Sequence, residues 1–223
     1  NEFDEGKFRR GEISPVFFGA AMTNFGVRAF LEKFLAMCPG PAPKGSSLGP
    51  VDPLSPLFSG FVFKIQANMD PKQRDRIAFL RIVSGSYEAG TFVNHSRLGR
   101  EIKLTQPQQF FAQERTGAEA AFAGDIVGIY DPGLFAIGDS LTEGQKFEFE
   151  GIPQFAPEFF AVVRTKSALQ RKQLVKGLVQ LCQEGTVQMF VDPTRAASDP
   201  VLAAVGVLQF DVLLFRLQNE YNV

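Results

Sequence analysis

The hydrophobic pattern that starts at Phe61 predicts two neighbouring β-strands. Phe61, Phe63 and Ile65 occupy alternate positions, which is the two-residue period of a strand with a buried face. Loop-forming residues interrupt this pattern over 67–75, and a second apolar run covers 77–83. Two such strands joined by a polar, partly basic loop begin an antiparallel β-unit.

Short apolar runs separated by turn residues continue from residue 59 to about residue 151. Their spacing leaves no room for crossover helices, so the pattern predicts an antiparallel barrel or sandwich. After the first pair, the predicted strands cover 91–95, 102–104, 125–130 and 137–141.

The pattern after residue 152 predicts a smaller α+β layer. Ser167 and Gln170 have the S-x-x-Q spacing of a capping box before an amphipathic helix, and Gly185 is placed to cap its end. The predicted order β-α-β-β-α resembles a split β-α-β layer that lacks its final strand. Strands are predicted at 159–164, 186–191 and 201–205, and the buried helix face at Leu174, Leu178, Leu181 and Cys182.

The first 38 residues predict a β-strand followed by a helix. An apolar run at 13–18 precedes small residues at 19–21, as in the last strand of an α/β domain. Asn24 is placed to cap the helix. We expect the apolar stripe of this helix to be covered by the barrel, by the C-terminal layer or by a second copy of the chain. The stripe consists of Val27, Phe30, Leu31, Phe34 and Leu35.

The composition is that of an ordinary globular protein. Of the 223 residues, 45% are hydrophobic and 21% charged, and 23 Lys and Arg oppose 24 Asp and Glu. The net charge of −1 excludes binding to nucleic acid by bulk electrostatics, so any RNA contact has to come from a local patch. The 24 phenylalanines are interpreted first as core residues.

The two cysteines, Cys38 and Cys182, are too few for a disulfide scaffold and each is expected to be a small buried hydrophobe. No apolar run approaches the length of a membrane span, and no signal-peptide pattern opens the chain. We therefore expect a cytoplasmic protein. The chain starts without Met in charged sequence, and we interpret it as a piece of a longer protein.

Candidate chemistry is sparse. His95 is the one histidine, so a metal site or a Ser-His pair has little support, and a polar residue at a strand end is the better interpretation. Asp125, Asp131 and Asp139 each lie beside Gly or Pro, which indicates turn-forming residues rather than a carboxylate cluster. We predict no catalytic residue and no metal site.

Two stretches resemble a known family. They are KIQANMDP at 64–71, followed by Arg74-Asp75-Arg76, and GIPQFAPE at 151–158. The first resembles the start of the second domain, and the second the entry to the third domain, of the bacterial peptide chain release factor 3 family. Members of that family are translational GTPases that remove class I release factors from the ribosome.

The resemblance covers essentially the whole chain and implies a multi-domain α+β fold. It implies an antiparallel β-barrel, the second domain of translational GTPases, between a β-α remnant of the GTP-binding domain and a truncated split β-α-β third domain. The expected boundaries are 1–40 for the remnant, 41–57 for a Pro-, Gly- and Ser-rich linker, 58–151 for the barrel and 152–223 for the third domain.

The resemblance also implies candidate site residues. Gly19, Ala20 and Ala21 correspond to the turn that contacts the guanine base, with Ala20 where the family usually has Ser. Residues 130–135 depart from the family, which usually carries a His-Gly containing turn there.

The basic loop between the first two strands is the candidate ribosome contact, through Lys72, Arg74 and Arg76 on one exposed turn. The alternative is that Arg74, Asp75 and Arg76 pair locally on the barrel surface.

The implied function is that of the ribosome- and factor-facing part of a translation termination factor. The intact protein would bind GTP or GDP with Mg²⁺ and would have the ribosome and class I release factors as partners, with no membrane or DNA. This chain lacks a P-loop and the guanine-reading Asn-Lys-x-Asp, so no cofactor is expected for it alone. The alternative is a stand-alone β-barrel module that binds RNA or protein; an independent enzyme lacks any plausible acid–base or nucleophile set.

Overall fold

The computed structural model describes residues 3–67, 76–111, 114–117, 120–153, 155–165, 167–190 and 200–223, with the backbone alone for 108–111 and 114–117. The chain divides into two compact units, Asn1–Ala42 and Pro43–Val223, which are described separately.

The N-terminal unit contains two helices, α1 (Glu5–Arg9) and α2 (Val27–Met37), and a 3₁₀ turn at Ala21–Thr23. The β-strand predicted over 13–18 is absent from the described part of this unit, so that prediction is wrong. A strand requires a hydrogen-bonded neighbour. The only β-pairing seen in the described residues of this unit is an isolated bridge between Ala20 and Phe25.

The apolar stripe of α2 is exposed rather than covered. Phe30, Leu31, Phe34 and Leu35 are between 40% and 76% exposed in the single chain, and their cover by a second copy of the chain stays a prediction. The contact that Phe30 does make outside the helix is an edge-to-face packing on Phe17, with ring centroids 5.3 Å apart.

The second unit begins with an antiparallel β-domain. Eight strands form one curled sheet in the order β5-β4-β10-β1-β2-β9-β6-β7, and β3 pairs with β8. This half-barrel confirms the predicted antiparallel barrel domain. The strands are β1 (Ser59–Ala67), β2 (Arg76–Ser84), β3 (Ser86–Tyr87), β4 (Phe92–His95), β5 (Arg100–Lys103), β6 (Gln108–Phe111), β7 (Glu114–Gly117), β8 (Ala121–Phe122), β9 (Ile126–Tyr130) and β10 (Ser140–Thr142).

A bulge in β1 changes which residues face the core. Val62 pairs with Leu80 and Lys64 with Phe79, so Phe63 is the extra residue. An extra residue reverses the side-chain alternation. Val62 is therefore buried before the bulge and Ile65 after it, whereas Phe61 and Phe63 are half-buried on the outer face.

The barrel core is mostly aliphatic, and the interpretation of the phenylalanines as core residues is wrong for most of them. Phe58, Phe135 and Phe149 are buried, but more of the described phenylalanines are exposed than buried. The core consists of Phe58, Val62, Ile65, Ala78, Leu80, Ile82, Tyr87, Val93, Leu104, Ala121, Val127, Ile129, Phe135 and Leu141.

The C-terminal part has the predicted order β11 (Phe159–Val162), α3 (Arg171–Gln183), β12 (Gln188–Phe190), β13 (Val201–Ala204) and α4 (Leu208–Tyr221). Its sheet order is β11-β13-β12 with antiparallel neighbours, so β13 lies between β11 and β12. This confirms the split β-α-β layer. Its core consists of Leu174, Leu178, Leu181, Val187, Leu202, Ala204, Leu213, Leu217 and Tyr221.

The two predicted caps of α3 have different outcomes. Gly185 follows the helix with φ +78°, and Thr186 N–H donates to Leu181 O, which confirms the glycine cap. The capping box is wrong. Ser167 makes no side-chain cap and instead precedes a 3₁₀ turn, while Gln170 Nε2 donates to Asn222 O.

None of the helices in the described residues is both long and apolar enough to cross a membrane. Both cysteines are free thiols. Cys182 is half-buried, and burial raises its pKa to about 11, so at neutral pH it is an uncharged thiol. Cys38 is exposed, and its predicted burial is wrong because it follows the uncovered helix α2.

Candidate functional site

The turn Gly19–Ala21 closes a tight backbone loop in front of α2. Ala20 N–H donates to Phe25 O over 2.9 Å, and Phe25 N–H returns a bond to Ala20 O. A side chain on Gly26 would lie 2.5 Å from Phe18 O, and its φ is +73°, so this turn requires glycine at that position.

Of the three basic residues predicted to contact the ribosome, the structure describes one. Lys72 and Arg74 lie outside the described residues. Arg76 is the first residue of β2, and its side chain is only 11% exposed. The expected position of Arg76 on an exposed turn is therefore wrong, because its guanidinium is drawn inward by a buried carboxylate.

That carboxylate belongs to Asp131, at the end of β9. Arg76 Nε lies 2.6 Å from Asp131 Oδ2, and the Asp131 side chain is fully buried. The same guanidinium donates from Nη2 to Phe135 O over 3.0 Å and from Nη1 to Gln183 Oε1 of α3. Arg76 therefore joins β2, the loop after β9 and the C-terminal layer.

Asp131 also organises the loop that follows it. Its Oδ1 accepts hydrogen bonds from the backbone N–H groups of Gly133, Leu134 and Phe135, over 2.6 to 3.1 Å. A carboxylate that satisfies several backbone donors fixes the turn more tightly than backbone bonds alone.

Asp139 holds the other end of the same loop. Its carboxylate accepts from Arg97 Nε over 2.6 Å and from Arg97 Nη2 over 2.9 Å, a two-pronged ion pair. It also accepts from Ala136 N–H over 2.7 Å and lies 3.1 Å from His95 Nε2. Burial by itself raises the pKa of Asp139, but the hydrogen bonds from Arg97, His95 and Ala136 outweigh it and lower the pKa to about 2.

His95 is the last residue of β4 and is fully buried. Its ring stacks on Phe135, with centroids 5.7 Å apart, and faces Asp139. The prediction of a polar strand-end residue is confirmed. The turn-forming role of Asp131 and Asp139 is confirmed as well, and Asp125 accepts from Phe122 N–H in its own turn.

The loop from Asp131 to Asp139, called the clamped loop below, is thus held by two buried carboxylates and two arginines. The arrangement fixes a backbone shape and offers no free nucleophile. In the described part of the chain, no group of His, Cys, Asp and Glu could hold a metal ion. Sequence reasoning identified both aspartates as turn residues but missed their arginine partners, because Arg76 and Arg97 are distant in sequence.

The clamped loop borders a cavity of about 630 Å³ between the barrel and the C-terminal layer. Ile137 of the loop faces Gly185, where an added Cβ would lie 3.5 Å from Ile137 Cδ1. Together with the Arg76–Gln183 contact, this places the end of α3 against the barrel. Mostly apolar side chains line the cavity, among them Phe63, Ile152, Val179, Val187 and Met189.

Two family models match the second unit. Residues 57–144 match Elongation factor G domain 2, and residues 149–223 match Class II release factor RF3, C-terminal domain. The first range contains the half-barrel with the clamped loop, and the second contains the split β-α-β layer.

Curated relatives match the chain from end to end. The chain is 54% identical over 99% of its length to a peptide chain release factor 3 from Symbiobacterium thermophilum, of which it covers 42%. It is 52% identical over its full length to a peptide chain release factor 3 from Nostoc punctiforme, of which it covers 41%. The chain therefore spans about two fifths of the length of the curated relatives it matches.

A solved structure supports the fold independently. A crystal structure of a Thermus thermophilus protein superposes with a TM-score of 0.73 over 98% of this chain and 31% of that chain, at 22% sequence identity. At that identity the likeness concerns the fold. The two domain matches and the end-to-end relatives show that this chain is similar over its whole length to proteins of the peptide chain release factor 3 family.

Proposed function

We propose that this chain is part of a translation termination factor, a cytoplasmic GTPase that promotes release and recycling of class I release factors from the ribosome. The observation that carries the proposal is the identity of about half of all residues with proteins named peptide chain release factor 3, over the whole chain. We propose that residues 1–40 close the GTP-binding domain, 41–57 link it, and 58–151 and 152–223 are its second and third domains.

The chain itself is proposed to contribute little to nucleotide binding. We propose that the Gly19–Ala21 turn, closed by the backbone pair of Ala20 and Phe25, contacts the guanine base. Nothing in this sequence fits a phosphate or Mg²⁺ site, since it contains no G-x-x-x-x-G-K-[ST] loop. GTP and Mg²⁺ would therefore be held mainly by parts of the intact protein outside this chain.

We propose that the β1–β2 loop contacts the ribosome through Lys72 and Arg74. The proposal rests on the charge of this loop in the sequence and on the buried Arg76–Asp131 pair, which anchors the start of β2 directly after it. Arg76 then acts as a structural residue rather than as a contact.

The test is ribosome binding by the full-length protein, measured by co-sedimentation over a range of salt concentrations. The double variant Lys72→Gln/Arg74→Gln should bind more weakly and lose part of its salt dependence, because phosphate contacts release counterions. The matched control is Arg100→Gln, which removes an exposed charge on β5. Equal affinity of the double variant and the wild type at low and moderate salt would refute the contact.

A further inference from the structure

A groove on the outer face of the barrel combines cations with aromatic rings. Phe61, Arg81 and Ile126 are directly paired across β1, β2 and β9. They face outward, since the adjacent row of paired residues points into the core. That buried row consists of Val62, Leu80 and Val127.

Two further segments turn this flat row into a groove of about 400 Å³. Lys44, from the segment before β1, lies with Nζ 5.2 Å from the centroid of the Phe61 ring. Residues 151–153 and Phe63 also line the groove. A volume of this size is in the range of ordinary small-molecule sites.

The cations of the groove are not neutralised by acidic side chains. In the part of the chain that the structure describes, neither Lys44 nor Arg81 forms an ion pair. The Glu150 carboxylate lies against Gly45, the residue after Lys44, and forms no ion pair with Lys44 in the described residues. The groove is therefore a positive spot on a chain whose net charge is −1.

A second pair extends the same face along β1. Lys64 is paired with Phe79, and its Nζ lies 5.4 Å from the centroid of that ring. Phe79 in turn packs near Phe63, with centroids 6.5 Å apart. Phe61 and Lys64 are three positions apart on β1, on either side of the bulge at Phe63. We call Lys44, Phe61, Phe63, Lys64, Phe79 and Arg81 the basic-aromatic face.

We propose that the basic-aromatic face binds an unpaired stretch of RNA of one or two nucleotides, with phosphates on Lys44 and Arg81 and a base against Phe63. Alternating cations and rings recognise single strands because phosphates bind the cations while every base has a surface to stack. An acidic peptide would use the cations but would leave the rings without a planar partner. This inference rests on the proposed function, which brings the chain to an RNA-rich particle.

The test is fluorescence anisotropy of this chain with a labelled octauridine RNA at 50 and 150 mM KCl. The variant Lys44→Gln/Arg81→Gln should bind at least about fivefold more weakly at low salt. The slope of log K against log salt should fall by about 1.4, since each single-strand phosphate contact contributes about 0.7. Phe63→Leu, which keeps an apolar side chain, should weaken binding by about fivefold or more.

The barrel offers a matched control. Lys103 of β5 lies over Phe92 of β4, with Nζ 5.9 Å from the ring centroid. This is a cation–π pair like that of Lys44 but outside the groove. Lys103→Gln and Phe92→Leu should leave the RNA affinity unchanged, and circular dichroism should verify that every variant is folded. Equal losses in the controls, or a double variant that binds like the wild type, would overturn the site.

Two further outcomes separate this inference from the proposed function. An octaglutamate peptide that competes as well as the RNA would show a general anion surface and overturn the RNA assignment. Groove-dependent binding of octauridine with no ribosome binding by the full-length protein would uphold this inference and refute the proposed function. Ribosome binding by the full-length protein without groove-dependent RNA binding would uphold the proposed function and refute this inference.

Discussion

Arg76 and Asp131 form an ion pair of 2.6 Å between the start of β2 and the end of β9, with the aspartate fully buried and the arginine 11% exposed. The pair connects three parts of the molecule, because Arg76 also donates to Phe135 O in the clamped loop and to Gln183 on α3. The start of β2, which follows Lys72 and Arg74 in the sequence, is thus fixed by a buried contact.

Removing one partner of this pair should be costly. We expect Asp131→Asn to lower the free energy of unfolding by about 3 kcal/mol, because Arg76 would then be left buried without a counter-charge. The measurement is urea denaturation at pH 7. Arg100→Gln removes an exposed arginine of the same domain and should change stability by less than about 0.5 kcal/mol. An Asp131→Asn variant as stable as that control would contradict the role assigned to the pair.

Asp139 should make the barrel sensitive to acid. Its pKa in the folded state is about 2, below its ordinary value of 3.8, so the folded state favours the ionised form. The stabilisation is therefore complete above about pH 4 and is lost as the pH falls towards 2, with a magnitude of about 2 kcal/mol. Unfolding free energies of the wild type and of Asp139→Asn, measured between pH 2 and 7, should converge at the acid end. A constant difference across that range would show that the ion pair with Arg97 is not the cause.

Gly177 on α3 should not tolerate alanine. An added Cβ would lie 2.7 Å from Leu217 Cδ2 and 2.9 Å from Tyr221 Cγ of α4. Alanine favours the helix by up to about 1 kcal/mol, but overpacking costs about 1–3 kcal/mol and displaces α4. We therefore expect a net loss of stability for Gly177→Ala in urea denaturation, with Lys176→Ala on the exposed face close to neutral. A Gly177→Ala variant more stable than the wild type would show that α3 and α4 move apart at little cost to make room for the added methyl group.

The isolated chain should not bind GTP tightly, because the proposed contact of the Gly19–Ala21 turn is with guanine alone and the sequence has no phosphate-binding loop. Isothermal titration calorimetry with a non-hydrolysable GTP analogue should give no saturable heat at micromolar concentrations. The full-length protein is the positive control. Micromolar binding by the chain alone would mean that it contains a nucleotide site that uses neither a P-loop nor an Asn-Lys-x-Asp motif.

The sequence predicted the architecture better than the detailed geometry. Alternation and turn residues predicted an antiparallel barrel or sandwich and the β-α-β-β-α order, since these patterns are local, and the family resemblance selected the barrel. The bulge at Phe63 could not be predicted, because one inserted residue reverses the alternation and is set by pairing with β2. Asn24 was predicted to cap α2 but instead takes a left-handed conformation after the 3₁₀ turn, and Gly26 precedes the helix.

The candidate site was predicted least well, for a physical reason. Asp131 and Asp139 were recognised as turn residues from their neighbours, but Arg76 and Arg97 are 55 and 42 positions away along the chain. Only the register of the strands brings these charges together. Arg76 therefore seemed to belong to an exposed basic loop, although the structure places it in a buried ion pair.

The central proposal is that this chain is part of a factor that removes class I release factors from the ribosome. The most direct measurement is the dissociation rate of a labelled class I release factor from ribosomes after peptide release, with and without the full-length protein and GTP. We predict that the full-length protein accelerates dissociation in a GTP-dependent manner and that Lys72→Gln/Arg74→Gln reduces the acceleration. A dissociation rate unchanged by the full-length protein, at concentrations where it binds GTP, would contradict the claim.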